Sequence, residues 1–170
     1  MIHRSTASAF AGLALAFVGT ATVALAADRQ AVKADAARGK YLVEISGCND
    51  CHTPGFAMSN GAVPESEWLT GDGLGWQGPW GTTYPPNLRL SLSHMTEAQW
   101  VTFAKSLKTR PPMPFWSLNN MREEDLRAMY RYVKSLPVKG VAAPAYVPPG
   151  VAARGPVVIF PSPPQKQVAR

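Results

Sequence analysis

The sequence predicts an all-α fold: three main helices joined by long ordered loops and followed by an extended tail. Three observations lead there. Residues 35–46, 96–107 and 123–136 place apolar side chains at helical spacing; the stretch from Thr53 to Pro86 is rich in glycine, proline and tryptophan and holds no period; and residues 138–170 are proline-rich, again without a period. At 170 residues the chain has room for one modest domain plus tails.

Met1 to Ala27 has a short basic start (His3, Arg4), an apolar run from Ala9 to Ala26, and small residues Ala24, Ala26 and Ala27 where a signal peptidase can cut. A secretory signal peptide over residues 1–27 is expected, absent from the mature protein. The rival reading is a retained membrane anchor, weakened by Gly12, Gly19, Thr20 and Thr22. Either one delivers the domain across the inner membrane to the periplasm, with membrane attachment only if the segment is kept. The chain carries 17 Lys and Arg against 11 Asp and Glu, a net +6. Residues 1–27 contribute Arg4 and no acid, so the mature chain keeps 16 basic and 11 acidic residues, a formal +5. No basic cluster interleaved with stacking aromatics is present, which argues against nucleic acid, and an acidic protein partner is the better expectation.

The first helix covers Asp35 to about Ser46, with Ala36, Gly39 and Val43 on one face and Asp35 placed to cap it. A glycine inside a helix costs about 1 kcal/mol relative to alanine, so Gly39 predicts another helix crossing there at close range. The second helix runs from Thr96 to Leu107: Thr96 and Gln99 form a capping box, and Trp100, Phe103, Ala104 and Leu107 share a face. The third runs from Glu123 to about Leu136, with Leu126, Met129, Tyr130, Val133 and Leu136 on its apolar stripe, acids Glu123, Glu124 and Asp125 at its start, and Pro137 to stop it.

Between the first two helices lies Cys48-Asn49-Asp50-Cys51-His52. Two thiols three positions apart can add to the two vinyl groups of one haem, and the histidine beside the second thiol then becomes an axial ligand of the iron. A zinc site would need four ligands, whereas the mature chain offers the two cysteines, His52 and His94. A redox dithiol is expected at a helix start after a strand, and no strand-rich pattern precedes Cys48. The motif therefore predicts one haem c with its iron, covalently held through Cys48 and Cys51 and ligated by His52. The loop to Pro86 would wrap the porphyrin, and Trp68, Trp76, Trp80 and Tyr84 can each cover a ring edge while offering an N–H or O–H to a propionate, although plain packing explains any one of them equally well.

The opposite axial position has six candidates: Met58, Met95, Met113, Met121, Met129 and His94. Met58 follows His52 too closely to pass round the porphyrin. Met95 and Trp100 flank the cap Thr96 in the pairing of a hydrophobic staple, Met121 and Leu126 stand in the same relation if Arg122 is a cap, and Met129 sits mid-stripe on the third helix. Met113, within Arg110-Pro111-Pro112-Met113-Pro114-Phe115-Trp116, is the first choice: flanking prolines limit the freedom its loop loses on folding, and Phe115 and Trp116 could exclude water. Met121 is second and His94 third. Histidine with methionine suits single-electron transfer and leaves no open coordination position.

Taken together, residues 34–137 resemble a class I c-type cytochrome: a glycine-bearing first helix, "CNDCH", a wrapping loop, a Met-Pro loop, and a last helix "EEDLRAMYRYVKSLP". The resemblance implies the cytochrome c fold, three main helices around one covalently bound haem, with the first and last helices crossing at Gly39 against Met129 and Tyr132. It maps the axial ligands onto His52 and Met113. It also implies a proline carbonyl that receives the other N–H of the histidine, for which Pro64 lies at a family-like distance. The segments "GPWGTTYPPNL" and "RPPMPFWSLNNM" are similar to haem domains that work beside periplasmic dehydrogenases.

The domain layout so implied is a signal peptide over 1–27, a mono-haem domain over 28–137 and a proline-rich strap or tail over 138–170. The function implied is a periplasmic one-electron carrier between a dehydrogenase or respiratory complex and an acceptor, with Lys105, Lys108 and Arg110 as candidates to meet an acidic redox partner. The alternatives are a haem subunit fixed in a larger redox complex, and a haem enzyme or gas-binding protein if the sixth ligand is labile.

Overall fold

The structure, a computed structural model, describes residues 35–160; the expected signal peptide lies outside the described residues, as does the end of the tail from 161 to 170. Helix α1 spans residues 35–45 and α2 is Cys48–His52, separated from it by Gly47, whose φ of +67° breaks the helical run. Asp35 is already helical and its carboxylate meets Arg131, so it is not the cap that the sequence suggests. After a long loop come the short α3, Leu88–Ser93, then α4, Glu97–Ser106, α5, Phe115–Asn120, and α6, Glu123–Ser135.

The helix crossing demanded by Gly39 is present. A Cβ built on Gly39 would lie 2.0 Å from the Ala128 carbonyl oxygen and 2.8 Å from the Tyr132 Cβ, so the backbones of α1 and α6 meet there. Tyr132 is therefore the tyrosine at the crossing, and its hydroxyl donates to Glu65 at 2.9 Å. Tyr130 is only partly buried and donates to the Met95 carbonyl at 2.7 Å. The core comprises Leu42 and Val43 of α1, Trp100, Val101 and Ala104 of α4, Leu118 of α5, Leu126, Met129 and Val133 of α6, and Trp68, Leu69 and Leu92 from between.

The capping box of α4 forms as predicted: the Gln99 N–H donates to the Thr96 hydroxyl and the Thr96 N–H donates to the Gln99 side chain at 2.8 Å. Its apolar face is rotated from the expected one. The Trp100 indole donates to the Leu126 carbonyl at 2.8 Å, which turns Val101 inward and leaves Phe103 42% exposed.

The all-α expectation is corrected by a small sheet. Strand β1, Gly75–Gly78, turns through Pro79 and Trp80 into the antiparallel β2, Gly81–Thr83, and β3, Val157–Ile159, pairs in parallel with β1, giving the order β2-β1-β3. Trp76 faces Thr83 on one side and Val158 on the other. A hairpin this short is marginal by itself; the third strand comes from the tail, and the Phe160 ring sits 5.7 Å from Trp76 and 5.5 Å from Trp80. The tail thus lies on its own domain at least as far as Phe160.

A buried guanidinium joins the loop to the helices. Arg89 of α3, 2% exposed, donates to the carbonyls of Trp68 at 2.7 Å, Glu65 at 2.9 Å and Pro137 at 3.1 Å, the last just beyond the end of α6. Charge-assisted bonds to three carbonyls offset its desolvation.

Candidate haem attachment site

Cys48, Cys51 and His52 lie together on the single turn of α2. Both cysteines are free thiols. Burial, and after it the neighbouring carboxylate of Asp50, pushes the Cys48 thiol up to about 12, and the same causes raise Cys51. Thiols held neutral in this way are the opposite of the acidified thiolate that a dithiol oxidoreductase uses. Among the described residues no group of three or more His, Cys, Asp or Glu side chains is placed to hold a metal ion.

His52 is 7% exposed and its Nδ1 lies 2.8 Å from the Pro86 carbonyl oxygen. A carbonyl only accepts, so Nδ1 carries the proton and the neutral ring keeps Nε2 for a metal. Burial lowers the pKa of His52, against a smaller upward pull from the Pro86 bond, and so favours the neutral, ligating form. The carbonyl is that of Pro86, not of Pro64. It is brought to the ring by a short backbone ladder: the Gly71 N–H donates to the His52 carbonyl at 2.8 Å, the Asp72 N–H to the Pro85 carbonyl at 3.2 Å, and the Leu88 N–H to the Leu69 carbonyl at 3.0 Å. Gly71, at φ +76°, passes so near this strand that a Cβ on it would lie 2.7 Å from the Asn87 nitrogen. Asn87 then caps α3 by accepting from the Leu90 N–H at 3.1 Å. A proline directly ahead of a helix-capping asparagine was the available signal for Pro86; its pairing with His52 depends on how the loop folds back.

The second arm of the site is the loop between α4 and α5. Met113 is partly buried and packs against the core cluster, and so does Met121; His94 ends α3. Phe115 and Trp116, expected to exclude water, divide: Phe115 is half-buried and Trp116 is 58% exposed. A cavity of about 360 Å³ is lined by Tyr84, Pro86 and Asn87, by Arg110 of this loop and by Tyr146 of the tail; Cys48, Cys51, His52 and Met113 do not line it. Of the four aromatics expected near a porphyrin, Trp68 donates its indole N–H to the Val63 carbonyl at 2.8 Å and Tyr84 its hydroxyl to the Arg154 carbonyl at 2.9 Å. Trp80 differs: its indole nitrogen is buried without a hydrogen-bond partner, as a donor awaiting an acceptor would be. Two of the three basic residues expected on a docking face are engaged inside the domain. Lys105 donates to the Met121 and Asn119 carbonyls at the end of α5, and the Arg110 guanidinium lies over the Tyr146 ring at 3.7 Å.

Paired thiols one helical turn apart beside a histidine whose Nδ1 is already committed suit covalent haem attachment, and the class this points to is the cytochrome c domain. The comparisons with known proteins support that class. It is 34% identical over 118 residues to the cytochrome c subunit of quinone alcohol dehydrogenase from Gluconacetobacter polyoxogenes, a match covering 59% of this chain and 24% of that protein. The corresponding subunit from Gluconobacter oxydans (strain 621H) is 32% identical over 127 residues, 65% of this chain and 26% of the relative. The fructose dehydrogenase cytochrome subunit of Gluconobacter japonicus is 29% identical over 118 residues, 64% of this chain and 22% of the relative. No protein-family model matches the chain and no solved structure matches it significantly. The chain carries a cytochrome c domain, and it spans about a quarter of the length of the curated relatives it matches. Such a domain implies covalently bound haem c and its iron, and the paired thiols and the committed Nδ1 of His52 fit that group. No helix among the described residues is long and apolar enough to cross a membrane.

Proposed function

We propose that this chain is an exported, periplasmic one-electron carrier that holds one haem c through Cys48 and Cys51, with His52 and Met113 as its axial ligands. The bond from His52 Nδ1 to the Pro86 carbonyl is the observation that carries the reading, because it sets the tautomer and orientation that an axial imidazole requires. When bound, haem c supplies a one-electron iron couple of raised potential if a thioether is the second ligand. The chain's own residues do the rest. Cys48 and Cys51 anchor, His52 orients, Trp80 offers an N–H to a carboxylate, and the prolines around Met113 limit the motion of its loop. Residues 1–27 act as the signal peptide, 28–137 as the mono-haem domain and 138–170 as the tail.

The relatives are named as subunits of an alcohol dehydrogenase and of a fructose dehydrogenase, which favours work beside or within a dehydrogenase complex over free diffusion. A dehydrogenase that co-purifies in fixed ratio separates the attached subunit from the diffusing carrier. The formal +5 of the chain without residues 1–27 favours an acidic face on the redox partner, with Lys108 rather than Lys105 or Arg110 available to meet it. The attachment itself is tested by replacing both cysteines with serine in cells that mature c-type haem. Cys48→Ser with Cys51→Ser is expected to abolish haem retained by the polypeptide after acid extraction. Retention at the wild-type level would sink the proposal.

A further inference from the structure

The proline-rich tail reaches the loop that carries Met113, and the contact is specific. Among the described residues, the segment from Lys108 to Met113 has two non-local polar ties, beside the packing of Met113 against the core. The Thr83 hydroxyl donates to the Pro111 carbonyl at 2.8 Å, and the Arg110 guanidinium stacks at 3.7 Å on the ring of Tyr146. The legs of the loop are held separately, by Asn119 donating to the Ala104 carbonyl at 2.7 Å and the Leu107 carbonyl at 3.3 Å. Its tip is therefore held by the hairpin and the tail as well as by the core beneath Met113.

Tyr146 is itself fixed from two sides. Its hydroxyl donates to the Trp80 carbonyl at 2.7 Å, and its neighbour Val147 exchanges backbone bonds with Thr82 at 2.8 and 2.9 Å. The tail approaches β2 so closely that a Cβ on Gly81 would lie 2.3 Å from the Val147 carbonyl oxygen. A ring immobilised at both ends makes a rigid platform, and a guanidinium lying flat on it loses little further freedom. Because the iron–thioether bond is weak, how often it opens depends on how firmly its loop is held.

We infer that Tyr146 is a positioning residue for Met113: through its stack with Arg110, the tail clamps the loop of the sixth ligand and slows exchange of that ligand for small molecules from solvent. This rests on the reading of Met113 as an axial ligand. The test uses the full-length ferric holoprotein and imidazole as the entering molecule, with the weak far-red iron–methionine band as the second readout. Tyr146→Ala is expected to speed imidazole entry about fourfold, the worth of an exposed stack, while Tyr146→Phe, which keeps the ring, stays near the wild-type rate. Arg110→Gln is expected to match Tyr146→Ala, and the two together to exceed neither, since they break one contact.

A role in stability alone would lower the unfolding midpoint without changing the entry rate at 25 °C. That result, or an entry rate unmoved by either single variant, overturns the inference. If Tyr146→Ala does not fold, Arg110→Gln carries the same test from the other partner. A far-red band present in wild type and lost in Met113→Leu keeps the ligand reading standing whatever Tyr146 does. A band absent from wild type, or unchanged in Met113→Leu, overturns the ligand reading and the clamp with it.

Discussion

Gly39 shows how much one missing side chain can decide. The Ala128 carbonyl occupies the place where a Cβ would project, 2.0 Å from it, and backbone cannot move aside as a flexible side chain can. Gly39→Ala should push α1 off α6 and destabilise the fold by about 3 kcal/mol, at the top of the usual range for overpacking, although alanine is the better helix former. Urea denaturation of the two proteins measures this; a variant as stable as wild type would show that the crossing is not close. At the same scale, Tyr132 and Tyr130 could not be ordered by periodicity, since both lie near the apolar stripe. The space beside Gly39 admits only one of them. Pro86 is the residue that sequence reasoning missed. A carbonyl carries no sequence signature, and Pro64 and Pro86 both lie downstream of His52 on a loop without a period.

At the level of elements, what could be read was what is local. The box that starts α4 needs only Thr96 and Gln99, and both of its bonds are present. Thr96→Ala removes the acceptor for the Gln99 N–H and should cost about 1 kcal/mol, read as a lowered urea midpoint with an unchanged slope, while Thr96→Ser should keep most of the stability. A loss confined to a few tenths would mean that solvent replaces the cap. The rotation of α4, by contrast, is set by the bond from Trp100 to the Leu126 carbonyl, so Phe103 leaves the core for a reason that lies on another helix. Helix α3 has no helical period to announce it; Asn87 caps it and Arg89 ties it to three carbonyls. The hairpin is equally silent in the sequence, since its glycine, proline and tryptophan residues read as loop until β3 arrives from the tail.

For the whole molecule, charge ties the ends of the fold together. Glu97 at the start of α4 accepts from Arg131 at 2.9 Å and from Arg127 at 3.2 Å, both on α6, while Asp35 of α1 meets Arg131 from the other side. The side-chain bond from Arg131, and after it that from Arg127, hold the Glu97 carboxyl below the usual carboxylate range; Lys40 and then Tyr132 do the same for Glu65. A carboxylate with a depressed folded pKa stabilises at pH above its unfolded value, about 4.3, and that contribution is lost as pH falls through the lower folded value. The groups are partly exposed, so solvent screening limits the Glu97 network to about 1 kcal/mol. The stability difference between wild type and Glu97→Gln should therefore be full at pH 6 and shrink steadily as the pH is lowered below about 4, followed by urea midpoints from pH 6 downward. A difference that stays constant would show that Glu97 acts by packing, not charge.

Sequence alone was enough to bring Cys48, Cys51 and His52 together, because their spacing sets them on one helical turn, and to mark the start of α4, whose capping box acts within four residues. The tertiary structure decided which carbonyl orients His52, which tyrosine crosses α1, and that the tail supplies a strand and the Tyr146 platform. Those outcomes are contacts between segments far apart in the chain, and their partners are backbone atoms or ring faces that every residue or several residues can offer. No local pattern marks them before the chain has closed on itself.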